Sequence, residues 1–249
     1  MIFSIVTIFP SLIESCLQSG VVARARKEGI VEIEAIDLRS FTRDKHRTTD
    51  DRPFGGGEGM VMTPEPLSLA INDTVRHHVR NRRVILLSPQ GRKFSQETAV
   101  ELRRQQQLIL VCGRYEGVDE RFRAKYVDEE ISVGDFILSG GELPALMVVD
   151  AITRLLPGAL GCADSAANDT FSRQLLKHPQ YTRPRVFEKM EVPEVLFSGD
   201  HKRIEEFRFI ESVKRTIERR PDLLKKAGAT FTDGEKRLKD YHVMDLETD

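Results

Sequence analysis

Residues 84–117 read VILLSPQGRKFSQETAVELRRQQQLILVCGRYEG, and the fold turns on this stretch. Val84 to Leu87 and Leu108 to Cys112 are short runs without a polar residue. Strands buried on both faces have this composition, and they belong to parallel sheets covered by helices. Between the runs, Ser95 to Arg104 carries a helical pattern. The unit is therefore strand, crossover helix, parallel strand, and the expected class is α/β. Each run ends in a punctuated loop, Ser88-Pro89-Gln90-Gly91 and Gly113-Arg114-Tyr115-Glu116-Gly117.

The pattern continues on both sides. A third strand-like run, Ile131 to Val133, leads into Gly134-Asp135-Phe136-Ile137-Leu138-Ser139-Gly140-Gly141, and Pro144 opens an apolar helix reaching Leu156. Upstream, residues 2–8 read as a strand. Pro10 and the capping-box sequence Ser11-Leu12-Ile13-Glu14 open a short helix. A second helix spans 20–28, a half-buried strand 30–37, and a polar, Gly-rich loop 39–59. Thr63-Pro64 reads as N-cap and first position of a helix to about residue 79. Residues 159–170 are small and polar without periodicity, as a linker would be. Beyond them, Ile204, Phe207, Ile210, Val213 and Ile217 recur at helical spacing, and Thr232-Asp233-Gly234-Glu235 caps a last helix. The expected domains are a cofactor-binding and catalytic unit over 1–159, a flexible linker over 160–171, and a small helical unit over 172–249.

Composition narrows the class. A chain of 249 residues with 40% hydrophobic and 31% charged residues can bury a sizeable core as a globular protein. Its net charge of −1 means that any affinity for nucleic acid must come from local basic surface. No run is long and apolar enough for a transmembrane helix, so no membrane partner is expected. The N-terminus lacks a charged leader and breaks at Pro10, as a strand does rather than a signal peptide. Three cysteines without a CxxC exclude a disulfide framework or a cysteine zinc site and suit a reducing cytoplasm.

Ligands of open α/β sheets sit outside the carboxyl ends of the strands, where the three Gly- and Pro-rich loops fall. Glycine lets backbone groups approach a ligand closely. Three such loops could hold an adenosine-sized molecule; turns and helix caps explain the glycines equally well. The signatures of dinucleotide binding, P-loops, zinc hydrolysis and serine hydrolysis are absent. Gly55-Gly56-Gly57-Glu58-Gly59 follows no apolar strand and precedes no lysine, so it reads as a surface loop rather than a phosphate cradle. Basic residues gather in three stretches. Residues 39–52 hold five Lys or Arg against three Asp, 173–189 five against one Glu, and 198–226 nine against six acidic residues. Such stripes can neutralise phosphates or merely face water.

The segments RTTDDRPFGGG (47–57), LSPQGR (87–92), LVCGRYEGVDER (110–121) and GDFILSGGELP (134–144) resemble the bacterial tRNA (guanine-N1)-methyltransferase family. HPQYTRPR (178–185) and EVPEVLFSGD (191–200) resemble its C-terminal half. The resemblance implies a SPOUT-type parallel sheet with a deep trefoil knot, a small mainly helical C-terminal domain that binds tRNA, and a homodimer with active sites at the subunit interface. General chain-topology rules argue against a knot, so it stands on the resemblance alone. S-adenosyl-L-methionine would contact Leu87, Ser88, Pro89 and Gly91, then Gly113, Tyr115 and Glu116. A third set would be Ser132, Val133, Gly134, Asp135, Phe136, Ile137, Leu138, Gly140 and Gly141, with Pro144. The implied substrate is guanine 37 of tRNA, next to the anticodon.

Guanine N1 must lose its proton to attack a methyl group, which calls for a general base. The resemblance assigns that role to Asp169 and places Arg154 where a guanidinium offsets the charge developing on O6. On residue type alone they would read as a helix N-cap and a surface charge. Mg2+ stays open as a helper, with Asp50, Asp51, Glu116 and Asp135 as acidic candidates. The departures are Glu58 where relatives often have Pro, and Phe54 and Phe136 where Tyr is common. The competing readings are a methyltransferase of the same fold acting on another RNA base, a non-catalytic RNA-binding protein, and a nucleotide-binding metabolic enzyme.

Overall fold

The computed structural model describes residues 1–75, 79–162, 166 and 168–227. Its chain divides into two compact units, residues 1–163 and 164–249.

The first unit is built on five parallel strands in the order β2-β1-β6-β5-β7. These are β1 (Ile2–Thr7), β2 (Glu32–Asp37), β5 (Arg82–Lys93), β6 (Gln107–Cys112) and β7 (Glu129–Ser132); the two-residue strands β3 (Asp50–Asp51) and β4 (Val61–Met62) pair apart from them. Successive side chains of a strand point to opposite faces. Ile85, Leu87, Leu108 and Leu110 therefore enter one core, under helices α1 (Pro10–Cys16), α2 (Gly20–Lys27), α4 (Gln96–Leu102) and α6 (Glu142–Thr153). Val84, Leu86, Ile109 and Val111 enter the other, under α3 (Pro64–Thr74) and α5 (Glu120–Tyr126). The unbroken apolar runs are thus two interleaved alternations, one for each core. Gln107 is the buried polar exception in β6; its amide donates to Ser4 Oγ (3.1 Å) and the Thr74 carbonyl (3.0 Å).

Several local expectations are corrected. Ser88 to Gly91 do not terminate their strand: β5 runs through them, and they bulge, because Leu87 and Arg92 both pair with Ile131. Helix α1 starts at Pro10 without a side-chain cap, so the Ser11 box does not form; the ring of Pro10 already sets the first helical φ. The Thr63 hydroxyl donates to the Thr49 carbonyl (3.2 Å) rather than capping α3, which ends at Thr74. Helix α6 ends at Thr153, short of Leu156, because Pro157 disfavours helical backbone in the residue before it. Within the expected loop 39–59, Leu38–Phe41 form a 3-10 turn and β3 pairs with β4.

The second unit contains α7 (Thr170–Arg173), a hairpin of β8 (Val186–Phe187) and β9 (Met190–Glu191), a 3-10 turn (Glu194–Phe197), α8 (His201–Arg219) and α9 (Pro221–Ala227). Asp200 caps α8 by accepting from the backbone N–H of Lys202 and Arg203. The buried face of α8 is Phe209, Ser212, Val213 and Thr216, rotated from the expected stripe through Ile204 and Ile210. Val213 of that stripe is buried and Ile217 packs beside it, and Thr216 joins the face because its hydroxyl accepts from Leu176 N (2.9 Å) and donates to the Ser212 carbonyl (2.6 Å). The 232–235 capping box and residues 163–165 and 167 of the expected linker lie outside the described residues.

The bulge depends on Gly91, where a Cβ would lie 2.4 Å from the Glu130 carbonyl carbon and the Ile131 nitrogen. Backbone neighbours cannot rotate away, so Gly91→Ala should destabilise the protein by about 3 kcal/mol. The expected result is a lower denaturant midpoint with an unchanged slope.

Candidate functional site

A cleft of about 450 Å³ opens beside the bulge of β5 and the carboxyl ends of β6 and β7. Its walls are the bulge after Leu87, the turn 113–117 after β6, and the loop 132–141 after β7. Glycine lets these walls close on one another. A Cβ on Gly141 would lie 2.7 Å from Cys112 Cα, and Gly141 N donates to the Gly113 carbonyl (2.9 Å). Tyr115 takes a left-handed backbone (φ 58) to turn the second loop. Glu116 N then donates to the Met60 carbonyl (2.9 Å), and a Cβ on Gly59 would meet the Glu116 carboxylate. The adjoining Gly55, Gly56 and Gly57 stand clear of other groups, and Phe54 is 99% exposed, as a surface loop should be.

The residues expected at the cofactor line this cleft, apart from Gly91 and Asp135. Gly91 packs on the backbone of Glu130 and Ile131. Asp135 pairs with Lys93 on the exposed side of its loop. Apolar Leu87, Ile131, Ile137, Leu138 and Pro144 alternate with backbone amides and carbonyls around the cleft. That mixture suits an adenosine group, and the Glu116 carboxylate lines the same cleft. Glu120 and Glu130 both reach Arg123, whose guanidinium is raised well above its usual pKa first by the Glu120 hydrogen bond.

The group that reasoning from sequence missed lies beneath the cleft. Glu142, the first residue of α6, is 1% exposed. Its carboxylate accepts from Thr7 Oγ1 (2.8 Å) and from Arg114 Nε (3.1 Å) and a terminal guanidinium nitrogen (2.9 Å). The Arg114 guanidinium also lies 4.3 Å over the Phe9 ring. One carboxylate thus ties β1, the second loop and the third loop together. The helix N-terminus supports its charge. Burial and then the Glu142 charge push the neighbouring Cys112 thiol well up, so it stays protonated. An acid at the first position of a mainly apolar helix was the available signal.

The expected catalytic residues stand elsewhere. Arg154 follows the last turn of α6, half-buried, and does not line the cleft. Ten helical residues separate it from Pro144, roughly 15 Å at 1.5 Å per residue. Asp169 lies in the second unit at the N-cap of α7, its backbone carbonyl accepting from Ser172 N and Arg173 N. Its carboxylate accepts from Lys177 Nζ (2.8 Å). Among the described residues no group of three or more His, Cys, Asp or Glu side chains is placed to hold a metal ion, so Asp50, Asp51, Glu116 and Asp135 form no such group. No described helix is long and apolar enough to cross a membrane.

Residues 1–226 match the sequence profile of the family described as tRNA (Guanine-1)-methyltransferase TrmD. The chain is 50% identical over 230 residues to the tRNA (guanine-N(1)-)-methyltransferase of Moorella thermoacetica, covering 92% of each chain. It is 52% identical over 224 residues to that of Desulfatibacillum aliphaticivorans, covering 90% of this chain and 85% of the relative. Against that of Stutzerimonas stutzeri the figure is 51% over 220 residues, 88% of each chain.

Removing one partner of a buried ion pair leaves the other uncompensated. Glu142→Ala should therefore cost about 3–5 kcal/mol. Glu142→Gln keeps the shape and should cost less. Both should weaken S-adenosylmethionine binding by loosening the two loops, as unfolding curves and a cofactor titration will show.

Proposed function

The chain belongs to the tRNA (guanine-1)-methyltransferase family, and from that premise we propose that the base it methylates is guanine 37, beside the anticodon. The enzyme transfers a methyl group from S-adenosyl-L-methionine to N1 of guanine in tRNA. The observation that carries this reading is the three-loop cleft at the carboxyl edge of the sheet, with its close approach of backbones. Its glycine-framed walls fit the cofactor, which supplies a methyl group on a sulfonium when bound. Leu87, Ile131 and Pro144 would cover the adenosine, while backbone groups of residues 113–117 and 132–141 supply hydrogen bonds.

Asp169 takes the N1 proton of the guanine. The Arg154 guanidinium offsets the charge that deprotonation places on O6. Because Arg154 stands a helix-length from its own cleft, the reading includes a homodimer, in which residues of one protomer act at the cleft of its partner. Exposed apolar side chains support such a contact: Leu143 and Met147 on α6, and Ile137, which is 81% exposed.

The reading also includes a trefoil knot, formed where the chain after β7 passes between the first two loops. Its support is the tightness of the crossings at Gly91 and Gly141, which leave no space for a methyl group. The three cysteines are free, in keeping with work in a reducing cytoplasm.

The test is transfer of labelled methyl groups to unmodified tRNA and to the same tRNA with guanine 37 replaced. Incorporation should require that base. Asp169→Ala should lower turnover about 10²–10⁴-fold while cofactor binding persists. Near-normal turnover of that variant would remove Asp169 from its role.

A further inference from the structure

The first wall of the cleft is a loop set inside a strand. Leu87 and Arg92 both pair with Ile131, so Ser88 to Gly91 are looped out of β5 between them. Inside the bulge Gln90 N donates to Ser88 Oγ (3.2 Å), while Pro89 and Gln90 stay exposed. We propose that Arg92 is a positioning residue for the cofactor: with Arg83, Glu101 and Glu129 it closes an ion-pair ring that holds the bulge in its binding geometry. The inference rests on the reading that this wall meets S-adenosyl-L-methionine, and it deepens that reading.

In the ring, Glu101 Oε1 accepts from Arg83 (2.6 Å) and its Oε2 from Arg92 (2.9 Å). Glu129 Oε2 accepts from Arg83 (3.1 Å), and its Oε1 from Arg92 Nε. Each guanidinium thus meets both carboxylates, and each carboxylate divides its oxygens between the two arginines. Arg83 and Arg92 stand on either side of the bulge in β5, Glu101 comes from α4, and Glu129 opens β7. Charge cancels within the ring. The Glu101 carboxyl is held below its usual pKa, first by the Arg92 hydrogen bond and then by that of Arg83.

Register makes this ring sensitive to the bulge. Ile85 pairs with Glu129, and Leu87 with Ile131. Glu129 therefore stands midway between the level of Arg83 and that of Arg92. If β5 ran on without the bulge, Arg92 would lie five positions further along, about 17 Å away at the usual strand rise. It could then reach neither glutamate. The ring closes only when residues 88–91 are looped out, so its formation favours that register. Arg83 lacks this property, because it precedes the bulge and meets the same glutamates in either register. A lone exposed ion pair contributes little, but charges joined in a network contribute more. Ser88, Pro89 and Gln90 line the cleft, and where Leu87 and Arg92 stand determines where their backbone lies.

The test uses the full-length enzyme, with S-adenosyl-L-methionine as the probe. Arg92→Gln should raise the dissociation constant and the KM for the cofactor about tenfold, within the coupling usual inside one ion-pair network. Turnover at saturating cofactor and the KM for tRNA should stay at the wild-type level, as loss of uniform cofactor binding requires. Arg92→Lys replaces a planar fork that meets two carboxylates with one ammonium, and should give an intermediate constant. Glu101→Gln and Glu129→Gln together should match Arg92→Gln, and adding Arg92→Gln to them should weaken binding no further. Arg83→Gln is the control. It loses contacts to the same glutamates and should lower the unfolding midpoint as Arg92→Gln does, yet bind the cofactor as wild type does. Hydrogen exchange of the Ser88, Gln90 and Gly91 amides should quicken in Arg92→Gln and not in Arg83→Gln. Wild-type cofactor affinity in both Arg92 variants, or equal weakening by Arg83→Gln, would overturn the positioning role while the cofactor reading stands. Failure of the wild type to bind S-adenosyl-L-methionine would overturn that reading and the positioning role with it.

Discussion

Gly141 lies against the backbone of Cys112 and Gly113 with no space for a Cβ, and the architecture of the cleft depends on that contact. It sets the third loop on the end of β6. The same close approach recurs at Gly91, where the bulge in β5 rests on Glu130 and Ile131. Two crossings of bare backbone bring the β5 bulge and the ends of β6 and β7 to one place. Side chains at either crossing would separate the loops, and the cleft would open into a flat sheet edge. The glycines therefore act on the cofactor at one remove: they determine where its amides and carbonyls stand.

Backbone proximity alone would leave the loops free to slide. The Glu142 carboxylate removes that freedom by accepting from Thr7 and Arg114 together. Such a pair is not a strong source of stability, since desolvation consumes much of the Coulombic attraction. What it contributes here is registry: a side-on pair has one geometry, and that geometry joins β1, the second loop and the start of α6. A well-packed apolar triplet could match its stability without fixing the rotation of Arg114 over Phe9.

The sheet was legible because burial on both faces forces a recognisable composition, and Val84 to Leu87 and Leu108 to Cys112 carry it. The bulge at Ser88 to Gly91 was not, because Pro and Gly mark a turn and a strand irregularity with the same residues. The stripe on α8 was misplaced for a related reason. Hydropathy counts Thr216 as polar, yet it is buried because its hydroxyl accepts from Leu176 N and donates to the Ser212 backbone carbonyl. The loops of the cleft were found from sequence, whereas Glu142 was not, since its meaning lies in partners 28 and 135 positions away. Nothing in periodicity or spacing pointed to Asp169 or Arg154 as chemical groups. Resemblance supplied them.

Helix α6 imposes the last constraint. Its first turn meets the cleft through Pro144, and Arg154 follows its last turn. An α-helix is a rigid spacer at this length, so whatever fixes Glu142 also fixes where Arg154 emerges. Pro144 and Arg154 are thereby held roughly 15 Å apart along the helix axis. On the proposed reading, cofactor binding and charge stabilisation on the guanine fall at two places in the chain, which is why that reading includes a second protomer. The exposed Leu143 and Met147 lie on this same helix. On that reading, the cleft, the guanidinium and the contact surface would be set together by one helix anchored at Glu142.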